Sequence, residues 1–234
     1  MNIPYSFLGF ALDLLVKHVK DKQPNNDSQI MTGLFNDHAS HPEDLLKDLE
    51  LKINKIEPKP QIIPVETIRD RAKYICEMIL KYGNNIYIRE AATKILTQRC
   101  GKEFCTTEKA WILEIITIFN YVRKNVRYTR DLSRRDSYFS PARVLLQYKA
   151  GDCDDYTMLL GALLYSIGYD NQVVRIVQTG NNTNYNHVYL LVEVPPGSNK
   201  WMSLDGSQNK PAGWEVPESM VVKSKDYYIS DFER

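Results

Sequence analysis

The hydrophobic residues of this 234-residue chain change their spacing near residue 170, and this change restricts the folds open to it. Before that point, apolar residues recur at the three- and four-residue intervals of amphipathic helices. After it, short runs rich in Val, Ile, Leu, Tyr and Trp lie between clusters of Gly, Asn and Pro, which is typical of strands. Helices followed by strands predict an α+β domain with its helices on one side of a small antiparallel sheet.

The apolar spacing also predicts where the individual elements lie. We expect helices over residues 68–82, 88–98, about 107–125 and 156–167, with a short helix after Pro141. Gly83 and Gly168 follow two of these helices at the positions of helix-ending residues. The predicted strands are residues 172–178, 187–194 and 200–204.

Residues 1–63 are predicted to be an N-terminal helical arm and linker that precedes the main domain. An amphipathic helix is expected over 7–18, a polar linker over 20–40, and a second short helix from Pro42. Several prolines then interrupt regular structure up to Pro64. The main domain is therefore expected over 64–234, with a C-terminal tail from about residue 216.

Composition and charge exclude several classes of protein. Lys plus Arg number 30 and Asp plus Glu 29, so a net charge of +1 gives little attraction to polyanions, and nucleic-acid binding is not expected. The apolar run 7–16 contains Asp13 and follows no basic residue, so it does not match a secretory signal. No segment reaches the roughly 18 to 20 apolar residues that span a bilayer. We expect a soluble protein without membrane contact.

The four cysteines are too few for a disulfide scaffold, so reduced thiols are expected. Cys76 falls on an apolar helical face and is predicted to lie in the core. Cys100 and Cys105 together with His38 and His41 match no familiar zinc spacing. The prediction is therefore a protein with no metal and no cofactor.

One basic cluster lies between two tyrosines in the middle of the chain. Six cations within thirteen residues suggest either nucleic-acid contact or, more commonly, a solvated face or pairing with acidic residues nearby. The cluster consists of Arg123, Lys124, Arg127, Arg130, Arg134 and Arg135.

Chemistry is suggested by the segment Gly151-Asp152-Cys153-Asp154-Asp155, which runs directly into an apolar helix. Cys153 is thus expected near a helix N-terminus, where the dipole lowers a thiol pKa from about 8.5 toward roughly 3.5 to 7.5. The free N–H groups there also stabilise an oxyanion. The neighbouring aspartates oppose thiolate formation, so the local sequence leaves open a reactive or a buried, inert Cys153.

A base and an orienting carboxylate are expected at the ends of two strands. His187 opens one predicted strand and Asp205 follows another, with a short connection between the strands. If these strands pair, His187 and Asp205 meet at one end of the sheet. A carboxylate on one ring nitrogen would leave the other to receive the proton of Cys153.

Taken together, these residues resemble the transglutaminase-like superfamily, and more narrowly its bacterial and bacteriophage cysteine peptidase branch. The resemblance covers about residues 66–215. It implies a papain-like α+β core in which Cys153 is the nucleophile, His187 the general base and acid, and Asp205 the orienter. The motifs that carry it are Ser140-Pro141, Val144-Leu145, Gly151-Asp152-Cys153-Asp154-Asp155, Ser166-Ile167-Gly168, His187-Val188-Tyr189, and Trp201 with Leu204-Asp205.

Two positions depart from the family's pattern. Asp154 stands where crosslinking transglutaminases commonly have an aromatic residue, which favours the peptidase-like branch. Gly206-Ser207 stands where many relatives have Pro-Thr. For a second oxyanion donor Gln147 is ranked slightly ahead of Tyr148 and Tyr128, because it lies six residues before the cysteine, as in papain-like proteases.

The leading hypothesis is therefore a cysteine hydrolase that cleaves peptide or amide bonds of a peptide or protein through a thioester. A protein-glutamine acyltransferase and a structural or adaptor protein of a phage particle are the alternatives, since superfamily members include both enzymes and inactive scaffolds. In the adaptor reading, residues 1–63 bind a virion protein or another protein partner. The expected location is the cytoplasm of a bacterial host or the virion.

Overall fold

A computed structural model describes residues 46–47, 49–50, 67–130 and 137–233. No helix within these ranges is long and apolar enough to cross a membrane. The longer helices of the chain are α1 (Ile68–Gly83), α2 (Ile86–Leu96), α3 (Trp111–Asn125) and α5 (Cys153–Tyr165), and α4 is the short turn Pro141–Arg143. Its strands are β1 (Arg99–Cys100), β2 (Glu103–Phe104), β3 (Arg127–Tyr128), β4 (Ala150–Gly151), β5 (Gln172–Thr179), β6 (His187–Glu193), β7 (Trp201–Leu204) and β8 (Val221–Tyr228).

The main sheet has four antiparallel strands in the order β7-β6-β5-β8. Strands β5, β6 and β7 follow one another as hairpins, and β8 returns to the free edge of β5. Its register places Leu190 opposite Leu204, so that the start of β6 and the end of β7 lie at the same end of the sheet. This arrangement of helices and an antiparallel sheet confirms the predicted α+β class.

Helix α5 is the centre of the core, because every residue from Cys153 to Leu164 is buried. It packs against α1 on one side and against β6 of the sheet on the other. The approach to α1 is close: a Cβ at Gly161 would lie 2.7 Å from Ile79 Cδ1. A helix surrounded in this way must be apolar on all faces, which explains why its sequence lacks a polar stripe.

The sheet is covered on both faces. Val174, Ile176 and Leu190 face the helices and belong to the main core. Val173, Val177, Tyr189, Leu191 and Val216 form a second, smaller core on the opposite face. Coverage on both faces accounts for the nearly continuous apolar run of β5, which lacks the alternation of a half-exposed strand.

Arg175 lies in the middle of the outer face, and its side chain is 2% exposed. Its guanidinium binds the Asp226 carboxylate of β8 through two bonds of 2.7 and 2.8 Å and Glu215 through a third of 3.0 Å. The buried cation is thus paired with two carboxylates, whose attraction offsets the cost of removing the guanidinium from water. This group ties β8 and the loop before it to the sheet.

Several predicted boundaries shift in the structure. Helix α5 begins at Cys153, three residues before the predicted start, because Asp152 and Asp155 form a capping box there. Helix α3 begins at Trp111 and not near 107, following Lys109 in the left-handed region (φ 58°). Residues after 216, expected as a tail, instead supply β8, the edge strand of the main sheet.

The expectation of reduced cysteines was wrong for one pair. Cys100 and Cys105 are joined by a disulfide, with their Cα atoms 4.9 Å apart. The turn between β1 and β2, with Gly101 at φ 73°, brings the two residues within the distance that a disulfide spans. Cys76 is free and buried, as predicted.

Most of the predicted N-terminal arm, including the helix over 7–18, His38 and His41, lies outside the described residues. The described part of the second predicted helix shows one helical hydrogen bond, 3.1 Å from the Glu50 N–H to the Leu46 carbonyl. Leu46 and Leu49 are both buried. Leu46 and Glu50 line a small pocket together with Tyr121 and Leu145, so this part of the arm packs on the main domain.

Asp226→Asn is expected to destabilise the fold by about 3 kcal/mol, because it removes a charge partner from a buried cation. Urea unfolding followed by circular dichroism measures the change. Asp231→Asn, at an exposed acidic position near the same end of the chain, is the matched control and is expected to change the free energy of unfolding by less than about 0.5 kcal/mol. An equal effect of both substitutions would contradict the role assigned to Asp226.

Candidate active site

Cys153 is the first residue of α5, and its position is fixed by a capping box. The Asp152 carboxylate accepts the Asp154 N–H at 3.1 Å, and the Asp155 carboxylate accepts the Asp152 N–H at 3.2 Å. Asp155 also accepts the Phe139 N–H at 2.9 Å. A Cβ at Gly151 would lie 2.5 Å from the Asp155 Cβ, so glycine is required there. The acidic sequence around Cys153 is therefore in part structural.

The chain reaches Cys153 through an irregular segment. After α4, residues Val144–Tyr148 form a π-helical turn that ends at Lys149, which is in the left-handed region with φ 50°. Strand β4 then pairs in parallel with β3, placing Tyr128 beside Gly151. Both π-helical turns and left-handed non-glycine residues occur preferentially at functional sites.

His187 and Asp205 meet at the end of the main sheet, as the hairpin argument predicted. The Nε2 atom of His187 lies 2.6 Å from Asp205 Oδ2. The other carboxylate oxygen, Oδ1, accepts the Ser207 hydroxyl at 2.8 Å. Since Asp205 is buried, these two bonds orient both the carboxylate and the imidazole. Bonding through Nε2 leaves Nδ1 as the ring nitrogen available for proton transfer.

The start of β6 also contacts Cys153. The backbone of Val188, the residue after His187, acts on the Cys153 thiol and lowers its pKa. Thr157 bridges the same two elements, since its hydroxyl donates to the Cys153 carbonyl at 2.7 Å and lies 3.4 Å from the Val188 carbonyl. The first turn of α5 is thereby held against the strand that carries His187.

The surroundings of Cys153 favour its protonated form. Burial raises the pKa of the thiol well above its ordinary value, and the Asp154 and Asp152 carboxylates raise it further. Arg71 and the Val188 N–H act in the opposite direction and lower the pKa. Burial and the aspartates thus shift the pKa of Cys153 in the direction that opposes the effect expected of the helix dipole.

The acidic residues around the thiol have partners within the chain. One atom each of Asp152, Cys153 and Asp154 lies within 4.8 Å of the others, a spacing that a metal ion would accept. However, Asp154 Oδ2 is bound to Arg71 at 2.7 Å, and Asp152 caps α5. A cation and a backbone N–H thus already bind these two carboxylate oxygens.

Of the three candidates for a second oxyanion donor, Gln147 lies half-buried on the π-helical turn. Its side-chain oxygen accepts a hydrogen bond from Arg143. Tyr148 and Tyr128 are both exposed for a large part of their surface. Partial burial of its hydroxyl raises the pKa of Tyr128, Cys153 and Asp152 raise it further, and Arg130 lowers it. The assignment of Gln147 stays a prediction.

The basic cluster is partly used to hold the loop after Asp205. Arg123 donates to the Lys210 carbonyl and to Asn209 Oδ1, both at 2.6 Å. Lys124, Arg127 and Arg130 are exposed. Arg134 and Arg135 lie outside the described residues.

Comparison with models of known families matches residues 98–206 to the transglutaminase-like superfamily. This segment, slightly less than half of the chain, is thus similar to a transglutaminase-like domain. The match includes Cys153, His187 and Asp205, whereas α1, α2 and β8 lie outside it. No curated protein matches the chain. The narrower bacterial and bacteriophage peptidase branch remains a prediction.

The sequence did not predict two of the residues that contribute to the candidate active site. Ser207 was noted only as a departure from the family, although it holds Asp205 Oδ1. Arg71 lies 83 positions before its partner Asp154 and outside the matched segment, so no local signal pointed to it.

Asp155→Asn is expected to change how stability depends on pH. Burial, followed by the nearby Asp152, raises the pKa of Asp155 well above the ordinary 3.8. Because the pKa of Asp155 is higher in the folded than in the unfolded protein, its protonated form contributes stability below pH 3.8. This contribution is lost as pH rises through the pKa of the folded state. The asparagine variant is therefore expected to gain stability relative to the wild type between pH 4 and 8 in urea unfolding. A constant difference between the two proteins over that range, with exposed Asp170→Asn as the control, would contradict this.

Proposed function

We propose that the domain is a cysteine hydrolase that cleaves peptide or amide bonds through a thioester on Cys153. The observation that carries the proposal is the 2.6 Å bond between His187 Nε2 and Asp205, at the start of the strand that contacts the first turn of the Cys153 helix through Thr157 and Val188. Nucleophile, base and orienting carboxylate are the groups that acyl transfer to a thiol requires. Members of the superfamily use this set for hydrolysis or for transfer.

In the proposed reaction His187 acts first as a base. Its Nδ1 takes the proton of the Cys153 thiol while the sulfur attacks the substrate carbonyl carbon. The resulting oxyanion is stabilised by backbone N–H groups at the start of α5. When the intermediate collapses, the C–N bond breaks and the imidazolium returns the proton to the leaving amine, which leaves a thioester.

A water molecule then completes the cycle. His187 removes a proton from this water, whose oxygen attacks the thioester and releases a carboxylic acid and the Cys153 thiol. Asp205 stabilises the imidazolium in both halves of the cycle. Because the surroundings of Cys153 raise the pKa of its thiol, we place the proton transfer to His187 in the same step as the attack.

Hydrolysis is favoured over transfer by the residue that follows the nucleophile. Asp154 is buried at this position, where crosslinking relatives commonly carry an aromatic side chain. The residue next to the thiol is therefore a carboxylate and not an aromatic ring, which is the departure that favours the peptidase-like branch. An amine acceptor in place of water would give the acyltransferase reaction on the same residues.

The test uses a mixture of bacterial tryptic peptides as substrate, with and without a dansyl-labelled primary amine. We expect new peptide termini or newly formed carboxylates in mass spectra with the wild type, and none with Cys153→Ala. His187→Ala is expected to slow product formation at least about 100-fold, the usual contribution of a general base.

Cys76→Ala, at the other free thiol of the chain, is the matched control and is expected to keep the activity. Full activity of Cys153→Ala would contradict the proposal. Incorporation of the dansyl amine without any hydrolysis would instead identify the domain as an acyltransferase.

A further inference from the structure

The Asp154 carboxylate lies between the thiol and a cation from a distant helix. Its Oδ1 atom is 3.9 Å from the Cys153 sulfur, to which it offers an acceptor for the S–H proton. Its Oδ2 atom is 2.7 Å from Arg71 Nη2 on α1. Sulfur, carboxylate and guanidinium therefore form one chain of contacts, and the carboxylate at its centre is 2% exposed.

Arg71 is placed unusually for a residue that only anchors a helix. Its side chain is 14% exposed, and its Nε–H has no hydrogen-bond partner among the described residues. Burying a cation is costly, and a buried N–H without a partner adds to that cost. A well-packed apolar side chain at this position of α1 would anchor the helix without the cost of burying a charge. Anchoring alone therefore does not explain the arginine at residue 71.

The charged and titratable groups around Cys153 come from four elements. Asp152 and Asp154 belong to the start of α5, and Arg71 to α1. His187 lies at the start of β6, next to Val188, whose backbone lowers the pKa of the thiol, and Tyr128 lies on β3. Among the described groups that act on the thiol, Arg71 is the cation that opposes the two aspartates.

We infer that Arg71 is a positioning residue for the reaction. By binding Asp154, it makes that carboxylate a weaker acceptor for the Cys153 S–H proton, so that the proton is transferred more readily to His187. The inference rests on the proposed function. Without the guanidinium, Asp154 becomes a stronger acceptor for the S–H proton and an uncompensated negative charge beside the developing thiolate. Without Asp154, Arg71 is opposed by Asp152 but no longer by Asp154, and it stabilises the thiolate more strongly.

The two partners are therefore expected to act in opposite directions when they are changed singly. The probe is iodoacetamide, applied to the intact protein from pH 6 to 10, with the rate of Cys153 alkylation read by mass spectrometry. At pH 7 we expect Arg71→Met to slow alkylation about tenfold and Asp154→Asn to speed it about tenfold, the changes that a shift of one pKa unit produces. The pH midpoint of the reaction moves up in the first variant and down in the second.

Two further variants separate electrostatics from loss of structure. Arg71→Lys keeps the charge and is expected to stay within about threefold of the wild-type rate at pH 7. The double variant Arg71→Met with Asp154→Asn removes both charges and is expected to return to within about threefold of the wild type, because its two effects cancel. Arg69→Met, at an exposed arginine on the same helix, is the matched control and leaves the rate unchanged.

Slower alkylation in Asp154→Asn, or a double variant as slow as Arg71→Met, would overturn the inference, because either result assigns Arg71 a purely structural role. If Arg71→Met does not fold, as judged by circular dichroism, the sign of the Asp154→Asn effect decides alone. Failure of the proposed function looks different, since wild-type Cys153 would then show no dependence on His187 in the same assay.

Discussion

Three carboxylates are buried at the start of a helix that lies in the middle of the core, and the surrounding chain is arranged to satisfy them. Asp152 caps the helix, Asp155 accepts two backbone N–H groups, and Asp154 pairs with Arg71. A buried carboxylate without such partners would cost several kcal/mol. The positions of α1 and of the segment before α4 thus follow in part from the charges around Cys153.

The same acids define the chemistry available to the thiol. Burial raises the pKa of the Cys153 thiol, and the Asp154 and Asp152 carboxylates raise it further, against the helix dipole. A thiol of this kind depends on a base at the moment of attack, which gives the bond between His187 and Asp205 its importance. The N-terminus of α5 then serves the oxyanion more than the resting thiolate. Arg71, which lies outside the segment matched to the superfamily, lowers the pKa of the thiol against the effect of the two aspartates.

The sequence predicted those features that depend on local pattern or on a short connection. The hairpin of β6 and β7 follows from two apolar runs and a brief turn, so the meeting of His187 and Asp205 could be foreseen. Features that depend on distant parts of the chain were missed. The partnership of Arg71 with Asp154 spans 83 positions, and β8 completes the sheet from a segment that resembled a tail. The disulfide between Cys100 and Cys105 depends on a tight turn that the cysteine count does not reveal.

The most direct test of Cys153 as the nucleophile is to trap the acyl intermediate with p-nitrophenyl acetate, which needs no knowledge of the natural substrate. The account predicts a burst of p-nitrophenolate close to one equivalent per chain and a single acetyl group on Cys153 in mass spectra of the quenched protein. The acetyl group is expected to be absent in Cys153→Ser at the same reaction time and to form much more slowly in His187→Ala. Acetylation of Cys76 at the same rate as Cys153, or an unchanged burst in His187→Ala, would contradict the account.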